Sequence, residues 1–544
     1  MQTTRRNFLR TTAGAMGLAS VPGLAYQSAQ AGKSDKPNIL LIMADDMGYS
    51  DAQCYGGDVR TPNLSALANN GVRFTQHYST GRCWPSRACI LSGYYAQNIR
   101  RDVMPGIKMG KRPPWAPLLP EMLKPHGYQS YHSGKWHIDG KPKDSGFKRS
   151  WGSERSGADW DRFFNTQAWK EDEFTAPIKP GEQYYSTVAI ADHAIQCLQL
   201  HERDYQDQPF FQYMAFYSPH FPLHALKKDI DSYRDAYLEG WDVIRERRWK
   251  RMKEMGLVNA PLSKREADVI PSWNLKPDEL KERIGPGEVS HAVAWKSLTQ
   301  EQKEFQANKM AIHAAMITRM DLEIGRVVQH LKDTGAYENT LIMFMSDNGA
   351  SAEQLIRGGG HDPNAPMGSA KSYLCLGPGW STAANTPFRF HKHWNHEGGI
   401  SSPLIAHWPK GISAKGELRH NPTHFIDILP TIMELAGDAE SQTNKIKGAP
   451  ERPGISLLPA FAKDGTVKHK SLWWCHQGNR AIRMGDWKLS GRKGKDGKWE
   501  LYDLKVDRSE TKDLASVHPD KVNALSKQWD SISERFIKDL SSTQ

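Results

Sequence analysis

Three short apolar runs constrain the fold of this chain more than any other feature. They span residues 39–43, 209–217 and 340–345 and contain few polar side chains. An apolar run that does not alternate with polar residues is typical of a strand buried on both faces, as in a parallel sheet covered by helices. The runs therefore predict an α/β fold, in which ligands bind at the carboxyl ends of the strands.

Oxygen-bearing side chains follow two of these runs. Asp45 and Asp46 come just after the first run, and Asp347 and Asn348 come just after the third. Adjacent carboxylates repel each other unless a cation lies between them, and carboxylate and amide oxygens are the ligands that calcium prefers. Either pair alone could also be an ordinary polar turn. Together they indicate a site for a hard divalent cation.

Basic and titratable side chains follow two further predicted strands. Lys135 and His137 come after a predicted strand at residues 127–132, and side chains two positions apart in an extended segment point the same way. His220 follows the second apolar run and lies between Pro219 and Pro222, which hold it in a defined loop. A purely structural loop histidine is the alternative for His220. His224 is a candidate for the substrate pocket only.

The segment Cys83-Trp84-Pro85-Ser86-Arg87 places a thiol, a hydroxyl and a guanidinium within five residues. Because proline at a first helical position is pre-organised, we expect Cys83 at the N-terminus of a helix. The backbone N–H groups and the dipole of such a terminus favour an anion. A buried structural cysteine beside a surface arginine is the alternative for this segment taken alone.

These motifs resemble those of the type I, formylglycine-dependent sulfatases, in the arylsulfatase-like branch of the alkaline phosphatase superfamily. The resemblance covers residues 36–540. Besides the cysteine segment and the two acidic strand ends, it rests on Gly134-Lys135-Trp136-His137, on His220 between its prolines, and on Lys392 five residues before Glu397-Gly398-Gly399. Asn395 and His396 depart from the residues often found before that glutamate, which leaves the local substrate contacts open.

The resemblance implies a fold and a reaction. The fold is α/β, with a large domain whose mixed, mostly parallel central sheet is flanked by helices and a small C-terminal antiparallel sheet with one helix. The reaction is hydrolysis of a sulfate monoester, in a sulfated carbohydrate or an aryl sulfate, to an alcohol and inorganic sulfate. A formylglycine-generating maturation enzyme would oxidise Cys83 to Cα-formylglycine. One hydroxyl of its hydrate attacks sulfur, and the other then forms the aldehyde again and expels sulfate.

The resemblance also implies one calcium ion per chain. Its ligands would be residue 83 in its oxidised form together with Asp45, Asp46, Asp347 and Asn348. Calcium would orient the hydrated aldehyde and lower its pKa. Asp347 is the residue implied to accept the proton of the attacking hydroxyl.

The remaining implied roles concern charge and proton transfer. Lys135, Lys392 and Arg87 would stabilise the negative charge of the sulfuryl group, and Arg87 would also brace the nucleophile. His220 would protonate the leaving oxygen, and His137 would assist the release of sulfate. Of these residues, Lys135, His220 and Lys392 would also bind the substrate.

Residues 1–31 predict an export signal rather than part of the fold. The pair Arg5-Arg6, followed by Phe8-Leu9, precedes a mildly apolar stretch and Ala29-Gln30-Ala31, which is typical of a twin-arginine leader. A chance arginine pair is the alternative. The leader implies the twin-arginine export machinery as a partner and a bacterial protein in the periplasm or outside the cell. We expect a catalytic domain at 32–465, with a charged helical insertion at 227–303, and a subdomain at 466–544.

The composition favours anionic partners but does not distinguish one class of anionic partner from another. The net charge of +11 suits anionic partners, and charge alone does not distinguish nucleic acid, acidic lipid and sulfated glycan. On the resemblance we expect the sulfate ester and no nucleic acid. Because no apolar run after the leader approaches about eighteen residues, we expect no membrane insertion of the mature chain.

Two other functions and one local question stay open in the sequence. A phosphonate or phosphate monoester hydrolase of the same superfamily would share the metal and the nucleophile. A non-catalytic protein that binds sulfated glycans would result if Cys83 were never oxidised. His391, His393 and His396 could form a second metal site or part of the substrate rim.

Overall fold

A computed structural model describes residues 35–152, 163–164, 174, 176–178, 181–358, 360–438, 440, 446, 448–494 and 497–541. The leader predicted at residues 1–31 lies outside the described residues. In the part that is described, no helix combines the length and the apolar character needed to span a membrane.

The strands are β1 (Asn38–Asp45), β2 (Val72–Tyr78), β3 (Gln129–Gly134), β4 (Arg149–Trp151), β5 (Phe210–Pro219), β6 (Thr340–Ser346), β7 (Ser401–His407), β8 (Glu417–Arg419), β9 (Thr423–His424), β10 (Leu472–His476), β11 (Asn479–Met484), β12 (Trp487–Gly491) and β13 (Trp499–Asp503). The helices are α1 (Pro62–Asn69), α2 (Cys83–Ser92), α3 (Leu119–Leu123), α4 (Ser186–Tyr205), α5 (Lys227–Asp231), α6 (Gly240–Glu254), α7 (Pro277–Arg283), α8 (Gln300–Asp333), α9 (Gly377–Ala384), α10 (Glu397–Ile400), α11 (Ile428–Leu435), α12 (Leu458–Ala462) and α13 (Pro519–Ser541).

The large sheet has nine strands in the order β4-β3-β5-β1-β6-β7-β2-β8, and β9 pairs with β2. Its neighbouring strands run parallel except that β7 is antiparallel to both β6 and β2. The three apolar runs form β1, β5 and β6, which are adjacent and buried. The predicted α/β fold with a mixed, mostly parallel sheet is therefore confirmed.

A separate four-stranded antiparallel sheet, β10-β11-β12-β13, follows near the C-terminus. Helix α13 packs on it, and the rings of Trp473 and Trp529 are stacked with centroids 5.6 Å apart. The small antiparallel sheet with one helix is thus confirmed. Trp473, Ile482 and Leu489 of this sheet belong to the same buried cluster as Ile39 and Leu41 of β1, so the two sheets share a core. The domain boundaries at 32, 465 and 466 stay predictions.

The segment at 227–303 contains α5, α6, α7 and the start of α8. It is anchored in the large domain, since Trp241 packs on Trp380 and the Arg248 guanidinium donates to the Asp51 carboxylate at 2.8 Å. Trp273 reaches further and donates from Nε1 to the Glu353 carboxylate at 2.9 Å. The segment is therefore charged and helical, and part of it lies at the carboxyl ends of the sheet strands.

Candidate active site

The acidic strand ends meet because β1 and β6 are neighbouring parallel strands. Their register places Ala44 opposite Ser346, so the residues that follow lie side by side. The backbone N–H of Asp46 donates to Asp347 Oδ1 at 3.3 Å, and Asn348 Nδ2 donates to Asp46 Oδ1 at 2.7 Å. Asp46 has a φ of 65°, and this left-handed turn directs the chain across the strand ends. The structure thus brings together four of the predicted metal ligands.

The cysteine segment starts helix α2, and Cys83 is its first residue. Pro85 is the third residue of the helix rather than the first, so it shapes the first turn from inside. Arg87, fully buried, donates from Nε and Nη2 to Asp347 Oδ2 at 3.0 and 2.7 Å. Ser86 Oγ donates to the Asp347 carbonyl at 2.5 Å. Cys83 Sγ and carboxylate oxygens of Asp45 and Asp347 consequently lie within 4.8 Å of one another.

Cationic and titratable side chains surround this cluster. Lys135 follows the end of β3 and donates from Nζ to Asp45 Oδ2. Lys392 donates from Nζ to Asp46 Oδ2 at 2.8 Å, and His220 Nε2 lies 3.6 Å from the same oxygen. His220 directly follows β5, whose last residue pairs with Asp45. The order β3-β5-β1-β6 explains why these distant sequence motifs converge at one edge.

His137 lies at the outer side of the cluster. Its side chain is exposed, and its ring centroid is 5.7 Å from that of Trp84. Its φ of 59° turns the chain away from the direction of β3 after Lys135. His137 therefore stands at the rim, whereas Lys135 points into the buried cluster.

The buried carboxylates differ in pKa. For Asp45, burial raises the pKa, but Lys135, Arg87 and Lys392 outweigh burial and lower it to about 2. Burial and the charge of Asp45 raise the pKa of Asp347 well above its usual range. Burial also raises the pKa of Asp46, although Lys392 opposes the rise. The cluster does not readily carry all its negative charges without a further cation.

Two oxygens of the cluster show that the site is suited to a metal ion. Asp45 Oδ1 and Asn348 Oδ1 are buried and have no hydrogen-bond partner. Buried polar atoms are nearly always paired, so such atoms side by side need an explanation. A calcium ion would supply it, because calcium is coordinated by carboxylate and amide oxygens. The side chains present therefore fit this metal.

Glu353 belongs to the site although no sequence pattern indicates it. Its carboxylate accepts hydrogen bonds from Arg82 Nη2 at 3.1 Å and from Trp273 Nε1 at 2.9 Å, and it lies 3.5 Å from Lys392 Nζ. Burial would raise its pKa, but Arg82 and Lys392 prevail and the pKa is lowered. The sequence offers one indication of this role: Glu353 lies in the segment between Asn348 and Lys392, which are both predicted site residues.

The family of the chain follows from comparison with known proteins. The family model described as Sulfatase matches residues 37–438. The chain belongs to the sulfatase family. It is 33% identical to an uncharacterized sulfatase of Schizosaccharomyces pombe, over 91% of this chain and 93% of the relative. It is 28% identical to an arylsulfatase of Klebsiella aerogenes, over 81% of this chain and 95% of the relative.

A solved structure supports the same fold for this sulfatase. The crystal structure of Ps i-CgsB in complex with k-i-k-neocarrahexaose matches with a TM-score of 0.61 and 22% identity, covering 93% of both chains. The family model and the relatives confirm the predicted family and the sulfuric ester hydrolase activity. The phosphonate or phosphate hydrolase and the non-catalytic binder are not favoured.

Four histidines of the sulfatase lie outside the cluster just described. His224 is fully buried, packs on Phe163 and Phe164, and its Nε2 donates to the Ser372 carbonyl at 2.7 Å. None of these contacts is with the cluster, and the assignment of His224 to the substrate pocket stays a prediction. His391 contacts Ser381 Oγ, His396 contacts Glu500, and His393 packs on Trp273. In the described residues these last three histidines do not converge as metal ligands would.

Proposed function

We propose that this sulfatase hydrolyses sulfated carbohydrates through a Cα-formylglycine made from Cys83 and a bound calcium ion. The observation that carries the proposal is the position of Cys83. Its sulfur lies within 4.8 Å of carboxylate oxygens of Asp45 and Asp347, at the first residue of a helix. A formylglycine at this position would supply an oxygen nucleophile for sulfur where a thiol would form a stable thiosulfate ester.

Calcium would be held by Asp45, Asp46, Asp347, Asn348 and the modified residue 83. When bound, it would orient and acidify the hydroxyl that attacks sulfur. The unpartnered oxygens of Asp45 and Asn348 support this ligand set. In the absence of a metal, burial and the charge of Asp45 raise the pKa of Asp347, so a bound cation would favour its ionised form.

Asp347 is suited to accept the proton of the nucleophile. Arg87 holds Oδ2 through two donors, so Oδ1, which accepts only a long bond of 3.3 Å from the Asp46 N–H, remains for the proton. Lys135 and Lys392 lie on either side of the carboxylate pair Asp45-Asp46. Their ammonium groups would stabilise the sulfuryl oxygens as charge develops there.

His220 is suited to protonate the leaving oxygen. Its Nδ1 donates to the Phe221 carbonyl at 2.5 Å, which fixes the ring and directs Nε2 to the cluster. A proton on Nε2 would therefore be transferred to the alcohol as it departs. His137, exposed beside Trp84, would assist at the stage in which sulfate leaves.

The maturation and export of the chain belong to the same proposal. Cys83 has to be oxidised by a formylglycine-generating enzyme, and twin-arginine export carries a protein that is already folded. We infer that the leader at residues 1–31 brings the chain to the periplasm or beyond. Replacing Arg5 and Arg6 by lysine should keep the protein in the cytoplasm, as fractionation of the native host would show; export that continues unchanged contradicts this part.

The test of the proposal combines mass spectrometry with a matched pair of variants. The peptide that contains Cys83 should be lighter by about 18 Da, the difference between a cysteine thiol and an aldehyde. Cys83→Ala should abolish sulfate release from 4-nitrophenyl sulfate. Cys89→Ala should not, because Cys89 lies in the same helix with a thiol whose pKa is raised by burial. An unmodified Cys83 in active protein would overturn the proposal.

A further inference from the structure

Five side chains that have no role in the chemistry above form a closed ring beside Cys83. This rim ring consists of Arg82, Trp84, Trp273, His393 and His476. The Arg82 guanidinium carbon lies 5.3 Å from the ring centroid of Trp84 and 5.6 Å from that of Trp273. His393 is 4.8 Å from Trp273 and 5.2 Å from His476 between centroids. The ring closes at 5.4 Å between His476 and Trp84.

The rim ring is assembled from distant parts of the chain. Arg82 and Trp84 flank the nucleophile position, Trp273 comes from the segment at 227–303, and His476 ends strand β10. His393 follows Lys392 and has a φ of 92°. A left-handed conformation is unfavourable for histidine, so the surrounding structure holds this side chain in the ring.

Several polar atoms of the rim ring lack partners. Arg82 Nε and Nη1, Trp84 Nε1, His393 Nδ1 and His476 Nε2 are buried and make no hydrogen bond. Arg82 uses its remaining nitrogen, Nη2, to donate to Glu353. The histidine nitrogens can donate or accept, depending on the tautomer, whereas the three atoms of Arg82 and Trp84 are donors. Buried donors without acceptors are rare, because their desolvation is not compensated. Their concentration in one ring indicates a ligand that supplies oxygen atoms.

Part of the rim ring is exposed and therefore accessible to a ligand. Trp273 is 39% exposed, Trp84 is half-buried, and 12% of the Arg82 side chain is exposed. Rigid aromatic faces with a few fixed polar groups are typical of small-molecule sites. The ring therefore offers the accessible faces of Trp273 and Trp84 next to residue 83, while His393 and His476 are buried.

The unpaired donors of Arg82 beside the nucleophile position, rather than a surplus of positive charge, favour an anionic oxygen. Arg82 and Lys392 share the single carboxylate of Glu353, and Lys392 is also paired with Asp46. Burial, the His476 ring, Arg82 and the exposed Lys493 lower the pKa of His393 to about 3. The His393 ring is consequently neutral and suited to hydroxyl groups, while Arg82 retains donors for a charged oxygen.

We propose that the rim ring binds the sugar unit that carries the sulfate ester, with the sugar on the faces of Trp84 and Trp273 and a second anionic group of the saccharide on Arg82. This inference rests on the proposed function for the reaction at residue 83. The second anion is a carboxylate or a further sulfate, since both present the oxygens that a guanidinium binds. The site thus selects acidic saccharides over neutral ones and over simple aryl sulfates.

Calorimetric titration of the Cys83→Ala protein tests this site without turnover. The probes are N-acetylglucosamine, its 6-sulfate, glucosamine 2-N,6-O-disulfate and an unsaturated chondroitin 6-sulfate disaccharide, whose second anion is a carboxylate. We expect the last two to bind more tightly than the monosulfated sugar. Which of them binds better identifies the second anion as sulfate or carboxylate.

Variants then assign the contacts. Arg82→Gln in the Cys83→Ala protein should weaken the two doubly charged probes by about 10- to 100-fold, as expected for lost hydrogen bonds to a charged group. Trp273→Ala should weaken every sulfated sugar. Arg203→Gln, on an exposed arginine, and Trp249→Ala, in the same segment as Trp273, are the matched controls and should change nothing.

Three results would overturn the inference. The first is that neutral and doubly charged sugars bind equally well. The second is that the doubly charged probes bind the Arg82→Gln protein as tightly as its parent. The third is that none of the sulfated probes binds at about 1 mM. Circular dichroism and thermal unfolding check that each variant is folded. Sulfate release from 4-nitrophenyl sulfate by protein with Cys83 intact reports the proposed function separately, so either proposal can fail without the other.

Discussion

Replacing Arg87 by lysine tests how strongly the site depends on a buried ion pair, and the chain offers a matched comparison. Arg87 and Asp347 are both fully buried, and Arg87 donates from Nε and Nη2 to Asp347 Oδ2 at 3.0 and 2.7 Å. Arg203 uses the same two nitrogens on Asp204, at 2.7 and 2.8 Å. There the side chains are 72% and 38% exposed. The two pairs share the donor atoms and differ in burial.

Lysine keeps the charge of Arg87 but has one nitrogen instead of a planar fork. Arg87 also donates from Nη1 to the Lys135 carbonyl at 3.1 Å, so lysine would leave two of three hydrogen bonds unmade. With hydrogen bonds to charged groups contributing about 1.5–3 kcal/mol each, Arg87→Lys should lower the free energy of unfolding by about 3–6 kcal/mol. Arg203→Lys should have no measurable effect, because water replaces the lost contact.

Chemical denaturation followed by tryptophan fluorescence measures both variants, and sulfate release measures their activity. Arg87→Lys should also lose most of its activity, since Asp347 would no longer be held in place. Equal stability of Arg87→Lys and Arg203→Lys would refute the reasoning, because it would mean that burial adds nothing to this ion pair.

Three further predictions follow from the same site. Removing calcium with a chelator should lower the free energy of unfolding by about 2.7 kcal/mol, compared with protein in free calcium at about a hundred times its Kd. At a fixed calcium concentration this loss should grow as the pH rises, because Asp347, an acid with a raised pKa, destabilises the metal-free fold as it ionises; an equal loss at acidic and neutral pH contradicts this. His220→Gln should lower kcat by about 10²- to 10⁴-fold for an alkyl sulfate and less for 4-nitrophenyl sulfate, whose phenolate leaves readily; equal losses would exclude it as the acid. Glu353→Gln should lower the free energy of unfolding by about 3–5 kcal/mol because Arg82 and Lys392 lose their shared carboxylate, whereas the exposed control Glu304→Gln should not change it.

Local pattern was enough to predict the acidic strand ends and the start of helix α2. The apolar runs of β1 and β6 identify buried strands, and parallel neighbours necessarily bring Asp45 and Asp347 to one edge. The position of Pro85 was predicted less well, since a helix tolerates proline at any place in its first turn. The surroundings of His224 could not be predicted, because its sequence neighbours do not reveal that Phe163 and Phe164 pack on it.

The sequence by itself was enough for the family, the class of fold and a set of candidate reacting groups, because these depend on short segments whose residues act together. The tertiary structure alone decided which atoms are left unpaired and which segments meet. Glu353 joins the site, Trp273 meets Arg82, and His476 meets Trp84, only because segments from separate parts of the chain come together at the same face. Periodicity and spacing report the burial of a segment but not the path of the loop that follows it.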